Sequence, residues 1–338
     1  MKVKSLCDIY TSLGFSEGTI FVVPLINFTH SDSDYLYQLY KPLLELQEYQ
    51  IQNVTIFDHF KFVVSAIISK KVLLHYHWLE FQDLKSMMGM PWKLLCILLF
   101  KLFGGTLVWT VHNLEPHDQK WLPAHLKMHR WMGKKSDAVH IHCSSSADLV
   151  SKKFAVNKVK LYTYPHPLFP AKEIQKSESI EFINRKFKSD IKYETPVLLF
   201  FGNISEYKRI ENILDIIEDE KFNVQVLIAG PIKKGQKTLL NRLKVRSKEQ
   251  DYITLIPDFI SDQETPYLFG ASDLCFFNYK KILTSGAVAM ALSYKKSIIA
   301  PDIGCLSELN SYSNVQLFSS ELEKKAYLTS AISTLNNE

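Results

Sequence analysis

Cysteine is scarce in this chain, and its placement is uninformative. Five residues (Cys7, Cys96, Cys143, Cys275 and Cys305) are scattered through 338 positions, with no Cys-x-x-Cys pair. An odd, dispersed set argues against a disulfide framework and against a zinc site. The compartment this implies is a reducing cytoplasm. Long apolar runs are missing too. No stretch reaches the ~18 uninterrupted apolar residues of a membrane-spanning helix. The N-terminus, Met-Lys-Val-Lys-Ser-Leu-Cys-Asp, turns polar too early for a signal peptide. The net charge of +5 is modest and is no nucleic-acid signature. Apolar residues, by contrast, are plentiful. At 46% hydrophobic the chain builds a sizeable core rather than a disordered segment. Its length allows two domains of ~150 residues each.

The nearest approach to a membrane segment is 91–103, Pro-Trp-Lys-Leu-Leu-Cys-Ile-Leu-Leu-Phe-Lys-Leu-Phe. It is short, interrupted by Lys93 and Lys101, and closed by Gly104-Gly105. One reading is a buried core helix. The other is an amphipathic helix lying on a membrane surface, its lysines reaching the headgroups.

Short β-rich runs alternate with helical patterns. Strands are predicted over 20–24, 53–57, 72–76, 106–111 and 138–142, with helices over 34–48, 60–69, 91–103 and 122–134. This alternation implies a parallel sheet covered by helices. A proline-rich stretch, Tyr164-Pro-His-Pro-Leu-Phe-Pro170, then leads into a charged segment over 172–192. The pattern restarts with strands over 197–201, 224–229, 253–256, 274–277 and 297–300, and helices near 208–220, 235–247, 265–271 and 285–294. The expected architecture is α/β: two Rossmann-like domains, 1–167 and 168–320, facing across a cleft. A terminal helix over 321–338 is able to pack back on the first domain.

Two segments carry chemistry. The run 106–111 ends abruptly in His112-Asn-Leu-Glu-Pro-His117-Asp118. In an α/β protein ligands sit outside the carboxyl ends of parallel strands, so His112 and His117 are candidate catalytic residues. A hydrogen-bonded core position is the bland alternative for His112, and a simple loop fixed by Pro116 is that for His117. The second segment is Leu198-Leu-Phe-Phe-Gly202-Asn203-Ile-Ser-Glu-Tyr-Lys208-Arg209. A strand, a glycine turn and two cations at a helix start suit an anionic phosphate. Thr284-Ser285-Gly286 opens a further helix and offers N–H groups and a hydroxyl. His75 and His77 share one face of a strand, which leaves open a metal pair or simple packing. His140 and His142 resemble them and are given no role.

Phe200-Phe-Gly-Asn-Ile-Ser-Glu-Tyr-Lys-Arg-Ile210 resembles the phosphate-binding segment of glycosyltransferase family 4, within the GT-B glycosyltransferases. Tyr162-Thr-Tyr-Pro-His-Pro resembles the interdomain segment of that family. Thr110-Val-His-Asn-Leu-Glu-Pro-His, with His75-Tyr-His-Trp-Leu-Glu80, is similar to a bacterial surface-polysaccharide subgroup. The resemblance covers most of the chain. It implies a transferase that moves a sugar from a nucleotide-diphosphate donor to a glycan acceptor, lipid-linked, at the inner face of the membrane. The nucleotide sugar is then a co-substrate, with no other cofactor and no obligatory metal. Nucleic acid is not an implied partner. Gly202, Asn203, Lys208, Arg209, Thr284, Ser285, Gly286 and Glu308 fall to donor binding. The chain also departs from the family. Ile282 and Met290 stand where the family has two glutamates, and Asn203 where it has an arginine. A non-catalytic GT-B-like binding subunit and a nucleotide-sugar epimerase are the competing readings.

Overall fold

The computed structural model describes residues 1–69, 71–81, 84–116 and 121–337. It divides into two compact units, Met1–Pro167 and Leu168–Glu338.

The first unit holds β1 (Gly18–Val23), β2 (Tyr49–Asn53), β3 (Val72–Tyr76), β4 (Thr106–Thr110), β5 (Ala138–Ile141) and β6 (Leu161–Thr163). All pair in parallel, in the order β2-β1-β3-β4-β5-β6. Val-Leu-Leu-His-Tyr in β3 is buried at every position. A sheet covered on both faces demands such uninterrupted burial. Parallel neighbours also need long crossovers, which the helices Tyr35–Leu44, His59–Ile68, Met90–Leu102 and Leu122–Lys135 provide. The strand order reverses between β1 and β3. Crevices for ligands open at such reversals, outside the carboxyl ends of the strands.

The second unit holds β7 (Val197–Phe201), β8 (Gln225–Ala229), β9 (Ile253–Ile256), β10 (Leu274–Phe276), β11 (Ser297–Pro301) and β12 (Val315–Phe318). Their order, β12-β11-β10-β7-β8-β9, reverses between β7 and β10. Successive residues serve opposite faces. Leu199, Leu227 and Cys275 enter one core, and Leu198, Val226 and Phe276 the other. The helix Glu321–Asn337 packs within the second unit. Its Leu328 and Ile332 are buried among Ile213, Leu214 and Phe318 of the second, where an apolar stripe finds its natural cover.

Helix Met90–Leu102 settles on the sheet through Cys96, Ile97 and Phe100, and Phe100 meets Phe62 of helix His59–Ile68 edge-on at 5.4 Å. The outward sides of both helices are apolar as well. Phe60, Val64, Ile67 and Ile68 are exposed on one, and Trp92, Leu95, Leu98 and Leu102 on the other, with Ile68 80% and Leu102 73% accessible. A domain-surface helix normally turns polar there. The lysines do not flank this face as the sequence led one to expect. Lys101 turns inward to Asp137 at 2.5 Å and to the Gly105 carbonyl at 2.9 Å. Lys93 is half-buried, and burial lowers its pKa. Among the described residues no helix is long and apolar enough to cross a membrane.

Candidate active site

At the β7/β10 reversal, Phe201 ends its strand and Gly202 turns the chain with φ +82°. A tight turn, Glu206–Lys208, then brings Lys208 back beneath the strand end, ahead of the helix Ile210–Glu220. Only 6% of Lys208 is accessible. Its ammonium donates to the Phe201 carbonyl at 2.6 Å, its sole hydrogen bond among the described residues. Burial alone pushes its pKa down to about 7. A cation held in this way, with no carboxylate beside it among the described residues, is poised for an anion. A Cβ built at Gly202 would lie 3.5 Å from Lys208 Nζ and 3.7 Å from the Ala287 side chain. The glycine therefore leaves open the space between the lysine and the first turn of helix Gly286–Ser293. Ser285 caps that helix, accepting from the Val288 N–H at 3.3 Å, and its hydroxyl is bonded to Tyr279 at 2.8 Å. The structure thus brings Gly202, Lys208, Ser285 and Gly286 together.

The other sequence candidates sit differently. Arg209, read as a second phosphate contact, adopts a left-handed backbone with φ 46°. Its guanidinium donates to the Asn278 carbonyl and side-chain oxygen, both at 3.2 Å, and lies 3.7 Å from Glu321. It braces the loop after β10 rather than facing the lysine. Asn203 and Glu308 are exposed, and Thr284 is half-buried. Met290, at the site of a family glutamate, is packed in the core. His117 lies outside the described residues.

In the first unit, β3, β4 and β5 lie side by side and send histidines to one place. His112 follows β4, is 7% accessible, and stacks on Trp78 at 4.0 Å and 15°. Its Nε2 is 3.2 Å from Nδ1 of His77. Nε2 of His77 in turn meets the Tyr40 hydroxyl at 3.0 Å. Beneath them His75 joins Tyr10 at 2.7 Å and Thr110 at 2.8 Å, and Thr110 joins His140 at 2.9 Å. His142 bonds the Tyr35 hydroxyl at 3.0 Å. His75 and His77, for which the sequence left open a metal pair or packing, and His140 and His142, which it left without a role, are therefore the support of His112. Adjacency of β3, β4 and β5 makes the cluster, and no spacing within one strand reveals it. Burial, reinforced by neighbouring imidazoles, holds the pKa of His75, His77, His112 and His142 well below the usual histidine range. All four are neutral at pH 7. Among the described residues no group of three His, Cys, Asp or Glu side chains is arranged to hold a metal.

Two six-stranded parallel sheets, each covered by helices and each carrying polar residues at its reversal point, define the fold of the GT-B glycosyltransferases. Solved structures agree. Anabaena HepE in complex with UDP-glucose superposes with a TM-score of 0.64 at 13% identity, over 94% of this chain and 88% of that one. Sucrose-phosphate synthase from Thermosynechococcus elongatus superposes with a TM-score of 0.66 at 13% identity, over 95% and 90%. In sequence, the chain is similar to the GDP-mannose:glycolipid 4-beta-D-mannosyltransferase of Xanthomonas campestris pv. campestris, 24% identical over 245 residues. That match takes in 70% of this chain, which spans 63% of the length of the relative. No family model matches the chain.

Proposed function

We propose that this chain is a glycosyltransferase that moves a sugar from a nucleotide-diphosphate donor to a lipid-linked glycan at a membrane surface. The observation that carries the proposal is Lys208, a buried cation without a counter-charge among the described residues, at the reversal point of a dinucleotide-type sheet and next to a helix start. Charge accumulates on the diphosphate as the sugar leaves. A fixed cation and N–H groups already aimed at that place lower the barrier electrostatically. Lys208, the Gly202 turn and the N–H groups of the Ser285–Gly286 turn fill this role. His112 meets a sugar hydroxyl, and His117 stays a catalytic candidate on sequence grounds. The similarity to a mannosyltransferase acting on a glycolipid supports both the donor class and the acceptor class. No obligatory metal is assigned; nucleoside-diphosphate affinity unchanged by a chelator would agree. The deciding experiment incubates the purified protein with a panel of nucleotide sugars and no acceptor. Slow release of nucleoside diphosphate is expected, and a binding subunit releases none.

His112→Ala is expected to lower transfer by ~10²-fold, the scale of a positioned acid–base group, while far-UV circular dichroism stays unchanged. Full transfer activity in this variant removes His112 from the mechanism.

The apolar face of helices His59–Ile68 and Met90–Leu102 is assigned to the bilayer. Residues 1–167 hold 18 lysines and arginines against 13 acids, whereas 168–338 hold 22 of each, so the whole net charge of +5 belongs to the unit that carries this face. With Lys101 and Lys93 turned away from it, insertion of apolar side chains supplies most of the binding. Co-sedimentation with zwitterionic liposomes is therefore expected, with a smaller gain from anionic lipid. Ile67→Glu combined with Leu98→Glu is expected to abolish it. Retention of liposome binding by that variant would reject the surface.

A further inference from the structure

Arg209 follows Lys208 directly and stands in the left-handed region at φ 46°, where a residue with a Cβ is strained and glycine is not. Asn278 holds it there from both sides. Its Nδ2 donates to the Arg209 carbonyl at 3.1 Å and to Oδ1 of Asn212 at 3.0 Å. In return the Arg209 guanidinium donates to the carbonyl and to Oδ1 of Asn278, both at 3.2 Å. A carbonyl only accepts and a guanidinium only donates, so these partners fix the orientation of the Asn278 amide. Asn278 is 1% accessible, and both of its amide hydrogens are taken. No donor is left on it for a ligand.

The clamp is anchored behind and extended in front. Behind it, the fully buried Lys324 of the terminal helix donates to the same Oδ1 of Asn212 and pairs with Glu321. In front of it, the Lys280 N–H donates to the Tyr207 carbonyl at 2.9 Å, and the rings of Tyr207 and Tyr279 stack 5.7 Å apart. The Tyr279 hydroxyl is in turn bonded to that of Ser285 at 2.8 Å. The Lys208 turn and the Ser285–Gly286 helix start are thus spaced by one loop, and Asn278 pins its beginning.

From this geometry we infer that Arg209 and Asn278 are positioning residues that hold the turn carrying Lys208 in its strained form, fix its spacing from the Gly286 helix start, and do not themselves meet the donor. Relaxing the residue next to Lys208 re-aims the lysine. The clamp is independent of the proposed transfer reaction, while its effect on ligand affinity rests on that reading.

A phosphate contact and a positioning role give opposite expectations for glycine. Arg209→Ala and Arg209→Gly both delete the guanidinium, but only glycine takes the left-handed conformation without strain. In calorimetry of the full chain with UDP and with GDP, Arg209→Ala is expected to weaken binding at least ~10-fold, the lower end of what Lys208 itself supplies, and Arg209→Gly by no more than ~3-fold. Asn278→Leu is expected to act like Arg209→Ala, and Arg209→Gly added to it to recover part of the loss, the coupling of two groups that share one task. Equal losses in Arg209→Ala and Arg209→Gly overturn the inference, because the guanidinium then meets the ligand. No loss in either overturns it as well. A second readout needs no ligand. Cε–Nζ correlation spectra of the chain labelled with ¹³C,¹⁵N-lysine follow the titration of Lys208, expected at about 7 in the unsubstituted protein. It is expected to move up in Arg209→Ala, where a loosened turn admits water to the ammonium, and to stay in Arg209→Gly. A titration unmoved by Arg209→Ala overturns the clamp. Should it move while neither UDP nor GDP binds the unsubstituted protein, the donor reading fails and the clamp stands.

Discussion

Lys208→Met is expected to weaken nucleoside-diphosphate binding about 10- to 100-fold, and at the same time to make the protein more stable. The loss follows from removing a charge-assisted hydrogen bond to the ligand, worth ~1.5–3 kcal/mol. The gain follows from the same burial that readies the cation. An unfolded lysine titrates near ~10.4, whereas Lys208 in the fold titrates at about 7. Below pH 7 both states are charged and the desolvation penalty is complete. Between about 7 and 10.4 the unfolded chain binds the proton that the folded chain has released, so stability rises with pH across that window. The stabilising effect of methionine is therefore greatest near pH 6 and fades toward pH 10. A bound diphosphate reverses the balance by favouring the ammonium. Binding at pH 8.5 should take up a proton, seen in calorimetry as an enthalpy that changes with the ionisation heat of the buffer, and should take up none through this group at pH 6. Affinity unchanged in Lys208→Met would remove the lysine from the donor site.

The lysine was legible from sequence because all its determinants are local: an apolar strand, a glycine with positive φ, and a cation six residues on. The buried strands were legible for a similar reason. β7 is an unbroken apolar run and β3 is interrupted only by His75, and their predicted limits, 72–76 and 197–201, coincide with those found. β2 was not. It was predicted over 53–57 and lies at Tyr49–Asn53, an edge strand whose single parallel neighbour is β1 and whose burial is partial. The residues taken for it form instead the turn before helix His59–Ile68, where Thr55 bonds Asp58 and His59. The short edge strands β6 and β12 escaped notice as well. Arg209 illustrates the limit at the site. Its partner Asn278 is 69 residues away, and only the adjacency of β7 and β10 brings them together. The same holds for the histidines of β3 and β5. Period two places His75 with His77 and His140 with His142, but sheet order makes them one cluster.

The first unit is expected to unfold in mild acid while the second remains folded. All eleven histidines lie in residues 1–167 and none in 168–338. His129 and His140, both fully or nearly fully buried, are pushed down to about 4 by desolvation, against ~6.5 in an unfolded chain. His75, His77, His112 and His142 shift the same way. A depressed histidine is neutral in the fold. Its contribution is intact above pH 6.5 and is lost as pH falls toward 4, because the unfolded chain binds the proton first. At ~1.4 kcal/mol per pH unit, His129 and His140 each withdraw roughly 2 kcal/mol at pH 5. Together they remove about 4 kcal/mol, a large part of the ~5–15 kcal/mol that holds a domain, before the other four are added. The chain supplies its own probe, since all five tryptophans also lie in residues 1–167. In urea titrations the tryptophan-fluorescence midpoint is expected to fall sharply between pH 7.5 and pH 5. Far-UV circular dichroism at pH 5 should retain a second transition, from the unit that lacks histidine, close to its position at pH 7.5. Equal tryptophan midpoints at the two pH values would mean that the cluster is not held neutral.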